Sequence, residues 1–282
     1  MIIFNQSSVS AEQTATGVLR QRLLSEPRVK NTPVRLDRLT LAAGAKIELG
    51  IAAKSLGWLQ ILEGEATLSA LYTERLRDTQ SAVLPPTFSV TLSTAKGATV
   101  LYGEIPDAER IDPGFAAEPP LFMVVDWMRE PVLQSQTDGR KRVSLVAPDI
   151  CRTKALRIQM VVYPAGSIGV DCRHEGADAL MYFVSGSGTA WVNGQAAPVQ
   201  EGDLIYVPER ERYHLKAADN SEMRYLVFYA PGEFRTVASG EGKLSAWRST
   251  GRDIRGRETA LDQRQRRVFS GGFGFPLTFT TR

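Results

Sequence analysis

The sequence predicts an all-β chain built as a duplicated β-domain, and two observations carry that prediction. Short apolar or alternating runs recur between Gly and Pro punctuation, at Val34–Leu41, Trp58–Leu62, Thr99–Ile105, Leu121–Val125, Val143–Ala147, Leu156–Tyr163, Leu180–Val184, Leu204–Val207 and Tyr225–Tyr229. That rhythm is the signature of a sandwich or barrel. Sliding the chain by 122 residues then lays Val34-Arg35-Leu36 on Leu156-Arg157-Ile158, Gly44 on Gly166, Ile61–Glu65 on Phe183–Ser187 and Pro86 on Pro208, without a gap.

In order along the chain, residues 1–30 read as a polar extension. Within it, Ser10 and Gln13 are spaced to cap a short helix carrying Val18, Leu19, Leu23 and Leu24. Residues 31–110 form the first β-domain, 111–150 a Pro-rich, acidic linker with strands, 151–232 the second β-domain, and 233–282 a polar arm. The arm holds seven arginines between Arg248 and Arg267 and ends in an aromatic segment starting at Phe269. The arginines are interspersed with Asp253, Glu258 and Asp262, which favours a solvated face over nucleic-acid binding. The aromatic segment is expected to pack on a barrel or on a neighbouring subunit.

Composition narrows the class. A chain that is 43% hydrophobic can bury a substantial core, and a net charge of +3 from 34 basic and 31 acidic residues calls for no polyanionic partner. No apolar run is long enough to span a bilayer, and the first residues lack the pattern of an export signal, so a cytoplasmic protein with Cys151 and Cys172 free is expected.

The stretch Gly166–His214 concentrates the chemistry, because the only two histidines, His174 and His214, both lie in it. At the same 122-residue shift, Cys172, His174, Asp178 and His214 fall on Gly50, Ala52, Leu56 and Leu92. The first copy therefore keeps the turns without the polar groups. A core alone does not require them, which points to a task in the second copy.

This stretch resembles the cupin superfamily, and the duplication resembles a bicupin. The family's first motif is Gly, five residues, His-x-His, three or four residues, Glu, six residues, Gly; its second is Gly, about five residues, Pro-x-Gly, two residues, His. Gly166, Cys172-x-His174, Asp178 and Gly186 follow the first, with Cys and Asp as substitutes. Gly202, Pro208 and His214 follow the second, with Arg210 in place of Gly and one extra residue before the His.

The resemblance implies two tandem jelly-roll (double-stranded β-helix) barrels, the second bearing the pocket. It implies Cys172, His174, Asp178 and His214 as metal ligands, with Glu175 competing with Asp178 for the carboxylate role. Counting back from Gly186 places the family's Glu on Ala179, one position away from Asp178. Thiolate, imidazole and carboxylate together suit Fe or Zn, with Mn, Ni and Cu admitted by the same donors. A barrel that has lost its metal is the alternative, and Cys172 is equally a small buried hydrophobe.

The activity implied is that of a metal-dependent small-molecule enzyme, a dioxygenase, isomerase or lyase. Alternatives are a metal-free isomerase, epimerase or cyclase using His174 or His214 with a carboxylate and a tyrosine such as Tyr182, Tyr206 or Tyr213, and a non-catalytic bicupin that binds a sugar or metabolite. Arg157, Arg173, Arg210 and Arg212 are candidates to hold an anionic substrate. A homodimer is expected from apolar segments in both tails.

Overall fold

Alternation and β-branched content make strands the dominant local structure, and only one short α-turn, Pro148–Cys151, interrupts them among the described residues. The structure, a computed structural model, describes residues 2–25, 29, 32–239 and 243–259, together with the backbone of 267–269. The aromatic segment beyond Phe269 lies outside the described residues.

The helix expected around Val18 is instead a hairpin. Ala11–Ala15 pairs antiparallel with Val18–Leu24, and the chain reverses at Gly17, whose φ of +72° is a left-handed conformation that suits Gly. Val18–Leu24 also pairs with Arg35–Leu41, so its backbone groups are satisfied by a sheet and no helix is needed. The spacing of Val18, Leu23 and Leu24 fits burial on a bulged strand as well as on a helix face.

One compact unit is built on Val9–Trp127 with Pro148–Ala155. Its long strand Leu56–Ser69 pairs with Ala98–Ile105, Gln80–Leu84, Thr73–Arg77 and Ser89–Ser93. Leu39, Leu59, Ile61, Leu68, Leu76, Leu92 and Val100 fill its apolar interior, while Gly50 and Ala52, aligned with Cys172 and His174, are exposed. Each large side chain removed from water there contributes about 1.5–3 kcal/mol.

The other unit comprises Met1–Ser8, Met128–Ala147 and Leu156–Gln263. Asp178–Ser185, Asp203–Val207, Met223–Ala230, Arg157–Tyr163 and Lys141–Val146 are neighbours in an eight-stranded sheet, which Ile2–Asn5 extends at one edge. Ser187–Val192, Tyr213–Ala217 and Cys172–Glu175 lie in a five-stranded sheet. Val161, Met181, Phe183, Val227, Ala190 and Leu215 from the two sheets pack into one core, which makes the unit a jelly-roll sandwich.

The duplication is visible in backbone detail. Gly64 and Gly186, aligned by the sequence shift, have φ of +77° and +80°. A Cβ at either would lie 2.5 Å from the Gly97 carbonyl oxygen or 2.0 Å from that of Glu222, so both copies bring another strand against a bare backbone.

Candidate functional site in the second barrel

The site is organised by the short strand Cys172–Glu175, which pairs along its length with Arg235–Ala238 and at Cys172 with Tyr213. Alternation turns Arg173 and Glu175 outward, where they form an ion pair at 2.9 Å, and Cys172 and His174 inward. His174 is buried. Its Nε2 lies 2.8 Å from the Tyr213 hydroxyl, its Nδ1 lies 3.1 Å from Thr236 Oγ1, and its ring meets Tyr229 and Phe234 edge-on at 4.9 and 4.7 Å. Burial pulls its pKa down to about 4, so the imidazole is neutral at neutral pH, with one nitrogen a donor and the other an acceptor. Burial likewise pushes the Cys172 thiol up to about 11, leaving it protonated.

The other predicted groups do not join them. His214 sits on the outer face of its strand, stacked on Trp191 at 4.6 Å, because Leu215 and Ala217 are the core residues and alternation places Tyr213 with them. The extra residue between Pro208 and His214 is the cause: a one-residue slip exchanges the two faces of a strand, and the third position after the family's Pro-x-Gly, where the motif has its His, is Tyr213. Asp178 also points outward. One of its carboxylate oxygens accepts from the Tyr206 hydroxyl at 2.5 Å and the other from the Glu209 amide at 2.8 Å, so it anchors the turn after Pro208. The inward residue beside it is Ala179. Tyr182 is outward too, donating to Gln6 Oε1 at 2.7 Å.

The four residues expected to hold a metal therefore reduce to two facing the interior, and His174 already has both nitrogens within hydrogen-bond reach of protein hydroxyls. Among the described residues, no three His, Cys, Asp or Glu side chains are grouped to hold a metal ion. The residues present do not fit such a centre: a single thiol and an imidazole with both nitrogens engaged face the interior, with Ala179 and Tyr213 at the other two motif positions.

What surrounds His174 is instead a buried tyrosine and arginine network. The Tyr163 and Tyr225 rings meet at 5.8 Å, Tyr213 and Tyr229 both face the His174 ring, and burial holds all four phenols above their ordinary pKa. Arg140 donates to Tyr163 at 2.8 Å and to Ser245 at 2.8 Å, and it pairs with Asp138 at 2.7 Å. Burial works against its charge, but Tyr163 and Asp138 more than offset this, and its pKa is raised.

Arg142 lies opposite Val161, and Arg157 opposite Tyr229; both partners are core residues, so both arginines share the interior face. The Arg142 guanidinium stands 4.1 Å from the Trp247 ring centre, and its buried Nε has no hydrogen-bond partner. Burial lowers its pKa to about 10, with Arg157 and Arg140 adding to the effect and Tyr229 opposing it. Arg157 donates through Nε to the Gly232 carbonyl at 2.9 Å and lies 5.6 Å from the Phe234 ring centre.

Of the four arginines suspected from sequence, Arg157 alone faces inward. Arg173, Arg210 and Arg212 pair outside with Glu175, Glu209 and Asp171. Sequence reasoning missed Arg140 and Arg142 because they sit in what read as linker. The alternation of Arg142 and Ser144 with Val143 and Leu145 was the signal that could have found them.

A cupin-domain family model matches residues 159–229. The oxalate-binding protein of Thermotoga maritima is 26% identical over 83 residues, covering 29% of this chain and 68% of its own. Solved structures of Bacillus subtilis oxalate decarboxylase variants superpose with a TM-score of 0.67 at 13% identity, covering 85% of this chain and 79% of theirs. Structures of the same enzyme were described for its Mn(II) centres and for its substrate binding mode. At this identity the likeness to the solved structures is one of fold.

Proposed function

Because the chain is a bicupin in fold, with its cupin domain in the second barrel, we propose that this barrel is a metal-independent site for a small carboxylate. The observation that carries the reading is the pair Arg142 and Arg157, which face the interior with no carboxylate ion pair among the described residues. Half-buried guanidinium groups without counter-ions favour an anionic ligand, and their planar donors match a carboxylate. The name of the Thermotoga relative points the same way, so oxalate is the first compound to test.

Calorimetric titration with oxalate and other small mono- and dicarboxylates tests this. Arg142→Met is expected to weaken binding by about tenfold or more, the size of one charge-assisted contact. An unchanged affinity would reject the site.

A second reading, acid–base chemistry on the bound molecule, is favoured by the 2.8 Å contact between His174 and Tyr213. A neutral imidazole and a protonated phenol can pass a proton along this contact without building net charge in a buried place. Tyr213→Phe is then expected to leave carboxylate affinity within a few-fold while abolishing turnover. Turnover retained in that variant would remove the pair from the chemistry. The metal-dependent enzyme reading draws its support from the fold likeness to oxalate decarboxylase, and the donor set present here argues against it.

A further inference from the structure

The first barrel carries a polar pocket of about 210 Å³ beside its apolar core, built entirely within one compact unit. The carboxylate site of the second barrel does not involve it. Alternation forms the pocket: Leu39 and Leu41 are core residues, so Asp37 and Arg35 on the same strand share their face, and the cross-strand partners Arg20, Arg22, Tyr102 and Glu104 come alongside. Glu48 reaches it from the strand Lys46–Gly50.

Its charges are matched unevenly. Arg20 pairs with Asp37 at 3.3 Å and Arg22 with Glu12 at 2.9 Å. Arg35 and Glu104 stand opposite each other on neighbouring strands, yet neither side chain forms an ion pair among the described residues. Tyr102 is only 8% exposed, and its hydroxyl has no hydrogen-bond partner among the described residues, whereas a buried phenol ordinarily has one. The 122-residue shift lays Arg20 on Arg142 and Arg35 on Arg157, so both barrels place two guanidinium groups at matching positions. The groups around them differ: Glu104 stands opposite Arg35 where Tyr229 stands opposite Arg157, and Asp37 and Glu48 fall on Gln159 and Val170.

We propose that this pocket binds a small zwitterion, an α-amino acid, with its carboxylate on Arg35, Arg20 and the Tyr102 hydroxyl and its ammonium on Glu104 and Glu48. A lone anion would face the two glutamates, and a lone cation the two arginines; a ligand carrying both charges meets neither repulsion. The volume lies below the roughly 300 Å³ at which drug-sized ligands begin to fit, which selects side chains as small as those of alanine or serine.

The test is calorimetric titration of the full-length chain with glycine, L-alanine and L-serine, beside propionate and ethylamine, which each keep one of alanine's two charges. Alanine is expected to bind at least about tenfold more tightly than either, and Arg35→Gln or Glu104→Gln to weaken it about tenfold, the size of one charge-assisted contact. Tyr102→Phe should weaken alanine severalfold without lowering the urea midpoint, because the hydroxyl it removes has no protein partner to lose. No binding of any of the three amino acids would overturn the proposal, as would alanine affinity unchanged in both charge variants. Propionate that displaces bound alanine and equals its affinity would make this an anion site and overturn the zwitterion assignment. Oxalate titration of Arg142→Met reports on the second barrel alone, so the two sites stand or fall separately.

Discussion

Gly186→Ala is expected to destabilise the second barrel by roughly 3 kcal/mol or more, while Gly194→Ala costs only about 1 kcal/mol. Both glycines have positive φ, +80° and +78°, so the conformational term is shared. The difference lies in space. A Cβ at Gly194 meets nothing within 4 Å, whereas at Gly186 it would lie 2.0 Å from the Glu222 carbonyl oxygen and 2.8 Å from Met223 Cα. Those contacts are backbone on a strand held by the Met223–Ala230 pairing, so relief requires the sheet to part. Urea denaturation of the two variants measures the contrast, and equal midpoints would show that the two chain segments do not approach as described.

His174 produces the second large effect, through pH. Its folded pKa of about 4 lies below the ordinary 6.5, so between these values the unfolded chain binds a proton that the folded chain does not. Stability from this group is complete above pH 6.5 and is lost as pH falls toward 4, by a total of about 3 kcal/mol. His174→Gln keeps an amide donor and acceptor facing Tyr213 and Thr236 but cannot titrate. Its unfolding free energy should fall less steeply than that of the wild type across this window. His214, whose pKa is also lowered by burial, remains in both proteins and cancels in the comparison. Parallel pH profiles would mean that His174 is solvated.

How far the sequence could be read follows from what each residue is asked to do. Gly64, Gly186, Pro86 and Pro208 mark backbone conformations that few other residues tolerate, so the duplicated frame was legible from their spacing. Alternation located core strands such as Arg157–Tyr163 and Asp203–Val207 but not their full extent, since the run Trp58–Leu62 belongs to the longer strand Leu56–Ser69. The Val18 hairpin was missed because two apolar residues at Leu23 and Leu24 suit either period, and the deciding fact is the pairing with Arg35–Leu41. The site was half legible. Cys172 and His174 lie on one strand two residues apart, so local periodicity fixes their common face. The partners across the sandwich depend on register, where one residue decides everything: Tyr213 faces inward and His214 outward, Ala179 inward and Asp178 outward. The off-by-one counts at both motifs carried that information. Arg142 escaped notice because its inward face is set by pairing with Val161, a contact at long sequence distance.

The most direct test of the metal-independent carboxylate site is elemental analysis combined with oxalate titration, on protein purified without a His-tag. The account predicts substoichiometric Fe, Zn, Mn, Ni and Cu, before and after incubation with each, and carboxylate binding that is unchanged by chelation and lost in Arg142→Met. A near-stoichiometric metal that disappears with His174→Ala, together with carboxylate binding that disappears on chelation, would contradict it.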